Sequence, residues 1–165
     1  MIKINQKVQQ PNSILILPDI RSAQNVGAIF RTADAVGVNK IYIVGYSPTP
    51  LDKYGRKRSD ISKASLGAEE SVAWEYKETL PPLIKQLKKD GYQIIAIEQS
   101  DNSIDYKKVK PSEKMAFIIG NEVEGLPLPI LKMCDVIAEI KMVGKKESLN
   151  VSVATGVALY RILSI

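Results

Sequence analysis

The sequence predicts an α/β fold in which helices cover both faces of a mostly parallel sheet. Two observations support this class: apolar runs of strand length alternate with helical patterns, and the strand-like runs are almost continuous in isoleucine, valine and leucine. Such strands have no polar face, which is typical of parallel sheets buried between two helix layers. The 165 residues amount to one domain and suffice to bury a sizeable core.

The first half of the chain alternates strand, helix, strand and helix. SILILPDI predicts the first strand, and QNVGAIFRTADAVG predicts a helix that ends at Gly37. The apolar residues of this helix recur at helical spacing: Val26, Ile29, Phe30, Ala33 and Val36. KIYIVG predicts a second strand. TLPPLIKQLKKDG predicts a helix whose basic end before Gly91 complements the helix dipole.

The second half continues this alternation. YQIIAIEQ and MAFIIG predict buried strands, LPLPILKMC predicts a short helix, and VIAEIKM predicts a further strand. The last helix is expected to begin at about Leu149. It is apolar on nearly every side, so it must be buried on several sides. The stretch from Tyr46 to about Gly67 is expected to be long and irregular.

Composition excludes several classes of protein. The chain has no histidine, which excludes His-dependent triads and imidazole acid–base schemes. Its single cysteine, Cys134, excludes an internal disulfide and zinc ribbons, so no metal site is expected. The N-terminal MIKINQKVQQPNS lacks a signal-peptide core, and no apolar run approaches the ~20 residues needed to span a bilayer. We therefore expect a cytoplasmic protein. Its net charge of +5 weakly favours a polyanionic partner.

Three glycine-containing segments follow strands of the predicted sheet: RSAQNVGAIFRTA, GNEVEGLP and VGKKESLN. Ligands of open α/β sheets collect at the carboxyl ends of the strands. Each segment adds polar side chains that could orient a ligand: Asn25 and Arg31, Asn121 and Glu122, Ser148 and Asn150. Ser148 and Asn150 are also good helix N-caps, a role that is compatible with catalysis. The segments predict a binding site at this edge.

The common nucleotide-binding motifs do not explain this site. The dinucleotide fingerprint G-x-G-x-x-G is missing. A P-loop around Gly144-Lys145 fails because Glu139 stands where glycine is needed and Lys146 where serine or threonine is needed. Kinase, GTPase and ordinary NAD-binding interpretations are therefore excluded.

Three motifs resemble those of the SpoU (TrmH-like) family of the SPOUT superfamily, which are RNA 2′-O-ribose methyltransferases. They are NVGAIFRTADAVG, FIIGNEVEGLP and IKMVGKKESLNVSVATGVALY, in that order and spacing, and the resemblance extends from about Ile14 to the C-terminus. The third motif is the most specific of the three. One departure is Lys141, where the family usually has proline, which loosens that loop without removing backbone contacts to a cofactor.

The resemblance implies a single methyltransferase domain over residues 1–165, with a deep C-terminal trefoil knot at about 115–165. It also implies bound S-adenosyl-L-methionine (SAM), methyl transfer to a ribose 2′-hydroxyl of RNA, and a homodimer formed through the last helix. We expect no separate RNA-binding extension, which favours tRNA over rRNA as the substrate. An ordinary C-terminal core helix without a dimer is the alternative for the last helix.

The resemblance assigns catalytic roles to five residues: Asn25, Arg31, Glu122, Ser148 and Asn150. Arg31 is expected beside the acceptor hydroxyl and an RNA phosphate, either as general base or as a phosphate clamp. Guanidinium stays protonated in proteins, so Arg31 could instead clamp the phosphate and leave that phosphate or Ser148 to relay the proton. Asn25 should orient Arg31 or the substrate, and Glu122 should pair with Arg31 or Asn25 because an unpaired buried carboxylate is costly.

The resemblance also assigns cofactor contacts, mostly through backbone, to Ile97, Glu98, Ile119, Gly120, Ile140, Met142 and Leu149. A basic cluster beside Tyr54 suits an RNA backbone and a stacked base. Its members are Lys53, Arg56, Lys57, Arg58 and Lys63. The alternative for each of them is a solvated surface position.

Two further hypotheses remain open at this stage. One is a catalytically silent knotted RNA-binding protein, and the other is a flavodoxin-like nucleotide binder. Within the last helix, we expect Val153, Val157 and Tyr160 to lie against the same chain. Ala154 or Ala158 should then lie on the opposite side, where another helix approaches closely in the dimer.

Overall fold

A computed structural model describes residues 10–165, so the first nine residues of the N-terminal segment lie outside the described part. The described chain forms seven strands: β1 Asn12–Pro18, β2 Lys40–Val44, β3 Ala73–Lys77, β4 Gln93–Ile97, β5 Ile104–Asp105, β6 Lys114–Ile119 and β7 Val136–Glu139. It forms six α-helices: α1 Ala23–Val36, α2 Ser59–Ser65, α3 Ala68–Ser71, α4 Leu80–Lys89, α5 Leu128–Leu131 and α6 Val151–Ile162.

The strands form one sheet in the order β3-β2-β1-β6-β4-β7-β5, and neighbouring strands pair in parallel. Buried residues form two clusters, one with α1 and α6 and the other with α4 and α5. Helices thus cover both faces, and the predicted mostly parallel α/β sheet is confirmed. No helix within residues 10–165 is long and apolar enough to cross a membrane.

The ends of α1 follow from its sequence. The Ser22 hydroxyl accepts a hydrogen bond from the Asn25 backbone N–H and caps the start of the helix. Gly37 ends it in the left-handed region, at a φ of 74°. Its apolar face is buried as the spacing predicts, which aims the polar side of its first turn at the carboxyl ends of the strands.

The stretch from Tyr46 to Gly67 is less irregular than expected, because it contains α2. The sequence SDISKAS has one strongly apolar residue, so periodicity gives no helical signal there. Helix α2 packs against α1 at Gly27, where an added Cβ would lie 2.5 Å from the Ile61 carbonyl oxygen and 2.7 Å from the Ala64 Cβ. Gly27 therefore permits a close approach of two helix backbones.

Helix α6 buries a different face from the one expected. Ala158 is fully buried within the chain at 0% exposure, whereas Val153, Val157 and Tyr160 are all exposed. The expectation that these three lie against the same chain is wrong. Of the two alanines expected on the opposite side, Ala158 is buried in its own chain and does not face a second subunit, whereas Ala154 is half-buried. Gly156 lies near the Thr32 side chain of α1, and Ala158 belongs to the buried cluster that includes α1.

Candidate active site

A cavity of about 260 Å³ lies at the carboxyl ends of β4, β6 and β7 and at the start of α6. Its walls include six of the seven residues to which the family resemblance assigned cofactor contacts: Ile97, Glu98, Ile119, Gly120, Ile140 and Leu149. Met142 does not line this cavity. Ser148 and Glu122, two of the candidate catalytic residues, also line it.

The Glu98 side chain holds the loop that forms one wall. Its Oε2 accepts a hydrogen bond from the Leu126 backbone N–H at 2.9 Å. An added Cβ on Gly120 would lie 2.5 Å from the same oxygen, and one on Gly125 equally close. Both glycines therefore leave room for the carboxylate. The family resemblance assigned Glu98 a cofactor contact through its backbone. No feature of the sequence indicates that its side chain also holds this loop.

The cavity wall is acidic. Glu98, Glu122 and Glu124 line it, and no lysine or arginine of the described chain does. The remaining wall combines apolar residues, among them Ile119, Ile140 and Leu149, with the polar residues Gln99, Asn121 and Ser148. This combination suits a ligand with an apolar ring system and a positive charge.

Three segments that are distant in sequence meet at the rim of the cavity. The Asn25 Nδ2 donates to Glu122 Oε1 at 2.8 Å, and the Asn150 Nδ2 donates to Asn25 Oδ1 at 3.2 Å. The Asn150 Oδ1 also accepts the Ser152 backbone N–H at 2.9 Å and so caps α6. Asn150 therefore acts as an N-cap and as a member of this cluster. Of the two partners predicted for Glu122, the structure gives Asn25.

Hydrogen bonds set the charge state of Glu122. Partial burial raises the pKa of this carboxyl, but the Asn25 amide and the backbone N–H groups of Arg21 and Ser22 stabilise the anion more strongly, so the pKa is lowered overall. The carboxylate is therefore ionised at neutral pH. It fixes the start of α1 beside the cavity.

We expect Glu122→Gln to destabilise the protein at pH 7 by about 1 kcal/mol, because an amide cannot accept hydrogen bonds at both ends. A lowered folded-state pKa gives stability that is present above the unfolded-state pKa and is lost as the pH falls through the folded value. Urea unfolding measures the free energy of unfolding of wild type and Glu122→Gln, and the difference between them should be smaller at acidic pH than at pH 7. Glu124→Gln, on the same loop, is the control and should have little effect. An equal difference at both pH values would contradict this role.

Arg31 lies outside the cavity wall and is exposed. It follows Asn25 by six residues on α1, which places it about 9 Å further along the axis and about 120° around it. The structure therefore brings together Asn25, Glu122 and Asn150 at the rim and Ser148 in the wall, but it does not bring Arg31 to them within one chain.

The basic segment, residues 53–63, is partly neutralised by neighbouring acids. Arg56 pairs with Asp52 at 2.8 Å, Arg58 pairs with Asp60 at 2.7 Å, and Lys57 pairs with Glu70. The Lys53 ammonium and the Arg56 guanidinium lie 4.9 and 5.0 Å from the centre of the exposed Tyr54 ring. Exposed pairs of this kind are weak and exchange readily, so the segment can still offer cations to a phosphate backbone.

Known proteins resemble this chain in sequence and in fold. The family model described as the SpoU rRNA Methylase family matches residues 12–160. The Neisseria meningitidis 23S rRNA (guanosine-2'-O-)-methyltransferase RlmB is 34% identical over 154 residues, covering 93% of this chain and 59% of the relative. The Escherichia coli K12 tRNA (guanosine(18)-2'-O)-methyltransferase is 31% identical over 152 residues, covering 92% of this chain and 63% of the relative.

A solved structure has the same fold. The crystal structure of AdoMet-bound rRNA methyltransferase from Sinorhizobium meliloti matches with a TM-score of 0.83 and 27% identity, covering 93% of this chain and 56% of that chain. The chain thus spans between 56% and 63% of the length of these three proteins.

Proposed function

Because the chain belongs to the SpoU rRNA Methylase family, we propose that it transfers a methyl group from SAM to a ribose 2′-hydroxyl of RNA. The observation that carries this proposal is the hydrogen-bonded cluster of Asn25, Glu122 and Asn150 at the rim of the cavity. It joins the three motif segments next to a pocket of suitable chemistry. Relatives named for AdoMet binding and for 2′-O-methylation support it.

The residues of the cavity fit SAM. The apolar side chains of Ile119, Ile140 and Leu149 would hold the adenine, and the backbone around Gly120 would contact it closely. The carboxylates of Glu98 and Glu122 complement a sulfonium cation. When bound, the cofactor supplies a methyl group that is already activated for transfer.

The protein then has two tasks, to orient the acceptor ribose and to assist loss of its proton. Good alignment alone supplies up to roughly 7–11 kcal/mol. Asn25 and Asn150 are fixed by their hydrogen bonds and can position the ribose at the rim. Arg31 acts in this proposal as a phosphate clamp, since its guanidinium stays protonated. Ser148, in the cavity wall, or the RNA phosphate relays the proton.

We propose that the active form is a homodimer formed through α6. The exposed residues Val153, Val157 and Tyr160 recur at helical spacing and form an apolar stripe on one face. Exposed apolar stripes of this kind mark interaction surfaces. A second copy would cover the stripe and could bring its Arg31 to the cavity. The dimer would therefore complete each active site.

The deep trefoil knot at about 115–165 is part of the same proposal. After β7, near one edge of the sheet, the chain returns past Gln99, whose Nε2 donates to the Glu147 carbonyl oxygen at 2.8 Å, and reaches α1. This path is compatible with threading through an earlier loop. A chemically unfolded chain pulled from both ends should then be shorter than its full contour length, whereas a full-length extension would exclude a persistent knot.

Nucleoside mass spectrometry tests the function directly. RNA from a deletion strain should lack one 2′-O-methylated nucleoside, and the purified protein with SAM should restore it. We favour tRNA as the substrate, and tRNA and rRNA fractions should be assayed in parallel. A protein that binds cofactor and RNA but never methylates either fraction would be the catalytically silent alternative.

The basic segment provides a prediction about RNA affinity. Replacing Arg56, Lys57 and Arg58 together with alanine should weaken binding of bulk tRNA and flatten its salt dependence, because fewer counterions are released. The control is Lys85→Ala on α4, at the opposite face of the sheet. Binding titrations at several salt concentrations measure both quantities. An unchanged salt slope would show that these three side chains do not contact RNA phosphates and are only solvated surface residues.

A further inference from the structure

Two clefts continue from the cavity towards the basic segment. The first, of about 640 Å³, shares Asn121, Glu124 and Gly125 with the cavity. The second, of about 630 Å³, includes Lys53 and Arg58 of the basic segment. Tyr46 and Tyr76 line both clefts and therefore lie between them. One continuous surface thus connects the cavity, the tyrosine pair and the basic side chains.

Tyr46 is held in an unusual way for so exposed a residue. Its side chain is 94% exposed, yet its backbone is fixed on both sides. The Asp19 Oδ1 accepts the Tyr46 backbone N–H at 2.9 Å. The buried Ser47 hydroxyl donates to the Leu17 carbonyl oxygen at 2.6 Å and accepts the Ile20 backbone N–H at 2.7 Å.

This fixed turn has a physical consequence. Asp19 itself occupies the left-handed region, at a φ of 52°, to make its contact. Because the backbone of the turn is already ordered, only the side-chain torsions of Tyr46 have to be ordered on binding. The turn therefore presents Tyr46 in a form that is ready to contact a flat ligand.

We propose that Tyr46 and Tyr76 stack on bases of a single-stranded segment of the substrate RNA that runs from the cavity to the basic segment. This inference rests on the proposed function. Aromatic side chains bind unpaired bases through stacking, which tolerates any sequence because every base has a π face. The basic side chains at the far end of the same surface supply the matching contacts to phosphates.

The position of the pair argues for RNA over a second copy of the chain. The stripe proposed for dimerisation lies on α6, whereas the tyrosines lie at the ends of β2 and β3, which are the last two strands at one edge of the sheet. The first cleft is lined by the acids Asp19, Glu78 and Glu124, and the second includes the cations Lys53 and Arg58 beside Asp52. In this proposal the bases therefore lie against the tyrosines, and the RNA phosphates lie at the second cleft.

The test measures binding of a short fluorescein-labelled single-stranded RNA to the full chain. Tyr46→Ala and Tyr76→Ala should each raise the Kd about tenfold, with an unchanged salt slope because no phosphate contact is lost. Tyr46→Phe should restore the affinity. Ile104→Ala, an exposed apolar residue on β5 at the opposite edge of the sheet, should bind like wild type. Wild type and Tyr46→Ala should bind an abasic RNA of the same length with the same Kd, because that RNA has no bases to stack.

Three outcomes would overturn the inference. They are an unchanged Kd for Tyr46→Ala, a failure of Tyr46→Phe to restore binding, and a change of oligomeric state in Tyr46→Ala by light scattering, which would assign Tyr46 to a protein interface. A wild-type protein that methylates RNA while Tyr46→Ala binds normally refutes this inference alone. A wild-type protein that neither binds nor methylates RNA refutes the proposed function as well.

Discussion

Arg31→Ala is expected to abolish methyl transfer to RNA, by at least about 100-fold, while the fold and the affinity for SAM stay close to wild type. The loss follows from the proposed contact with an RNA phosphate beside the acceptor hydroxyl, since one preorganised charged contact in a transition state is worth a factor of this order. The affinity for SAM should persist because Arg31 lies outside the cavity wall. Single-turnover assays measure the rate of methyl transfer, and calorimetry measures the affinity for SAM.

Two controls sharpen this prediction. Arg31→Lys keeps the charge but loses the planar fork, so it should recover only part of the activity. Lys85→Ala removes an exposed charge from the opposite face of the sheet and should leave activity unchanged. If calorimetry showed that Arg31→Ala loses SAM binding in a folded protein, the placement of Arg31 beside the acceptor would be wrong.

Mixed dimers decide whether Arg31 acts across the interface. Gly120→Val should block the cavity, because a Cβ at this position already collides with the Glu98 carboxylate. Chains carrying Arg31→Ala and chains carrying Gly120→Val are each expected to be inactive alone. Mixed together, they should regain activity if the arginine of one chain serves the cavity of the other. Persistent inactivity of the mixture would place Arg31 in its own chain's site.

The parts of this structure with a repeating pattern could be predicted from the sequence. The central strands are continuous apolar runs because they are buried on both faces, and α1 shows its buried face through five residues at helical spacing. A site at this edge of the sheet was predictable because glycine and polar residues follow three of these strands. The cofactor contacts came from the family resemblance, and six of the seven lie in the cavity wall.

Other parts had no local signal. The contact between Asp19 and Tyr46 depends on two loops that only the fold brings together. Glu70 is recognisable as the partner of Lys57 only once the fold makes the two neighbours, whereas Asp52 and Asp60 are close in sequence to the arginines with which they pair. Helix α6 is apolar on nearly every side, so its sequence could not indicate which face packs against α1 and which stays exposed. That choice was made wrongly from the sequence.

The corrected face of α6 changes the experiment that tests the dimer. Val157→Glu places a charge on the exposed stripe, where Val157 is 37% exposed in the single chain. The carboxylate can stay in water in the monomer but would be buried without a partner in the dimer, which costs several kcal/mol. We therefore expect a folded monomer that has lost RNA methylation. Light scattering at micromolar protein measures the oligomeric state, and circular dichroism measures whether the chain is folded.

Ala158→Glu, one residue further on, should behave differently because Ala158 is 0% exposed within its own chain. Its carboxylate would be buried without a partner in the monomer itself, at a cost of about 3–5 kcal/mol, a large part of the stability of a small domain. This variant should unfold or become insoluble, whereas Val157→Glu stays folded, so the pair separates loss of the dimer from loss of the fold. A fully active monomer, whether wild type or Val157→Glu, would refute the homodimer and leave the apolar stripe of α6 without its proposed partner.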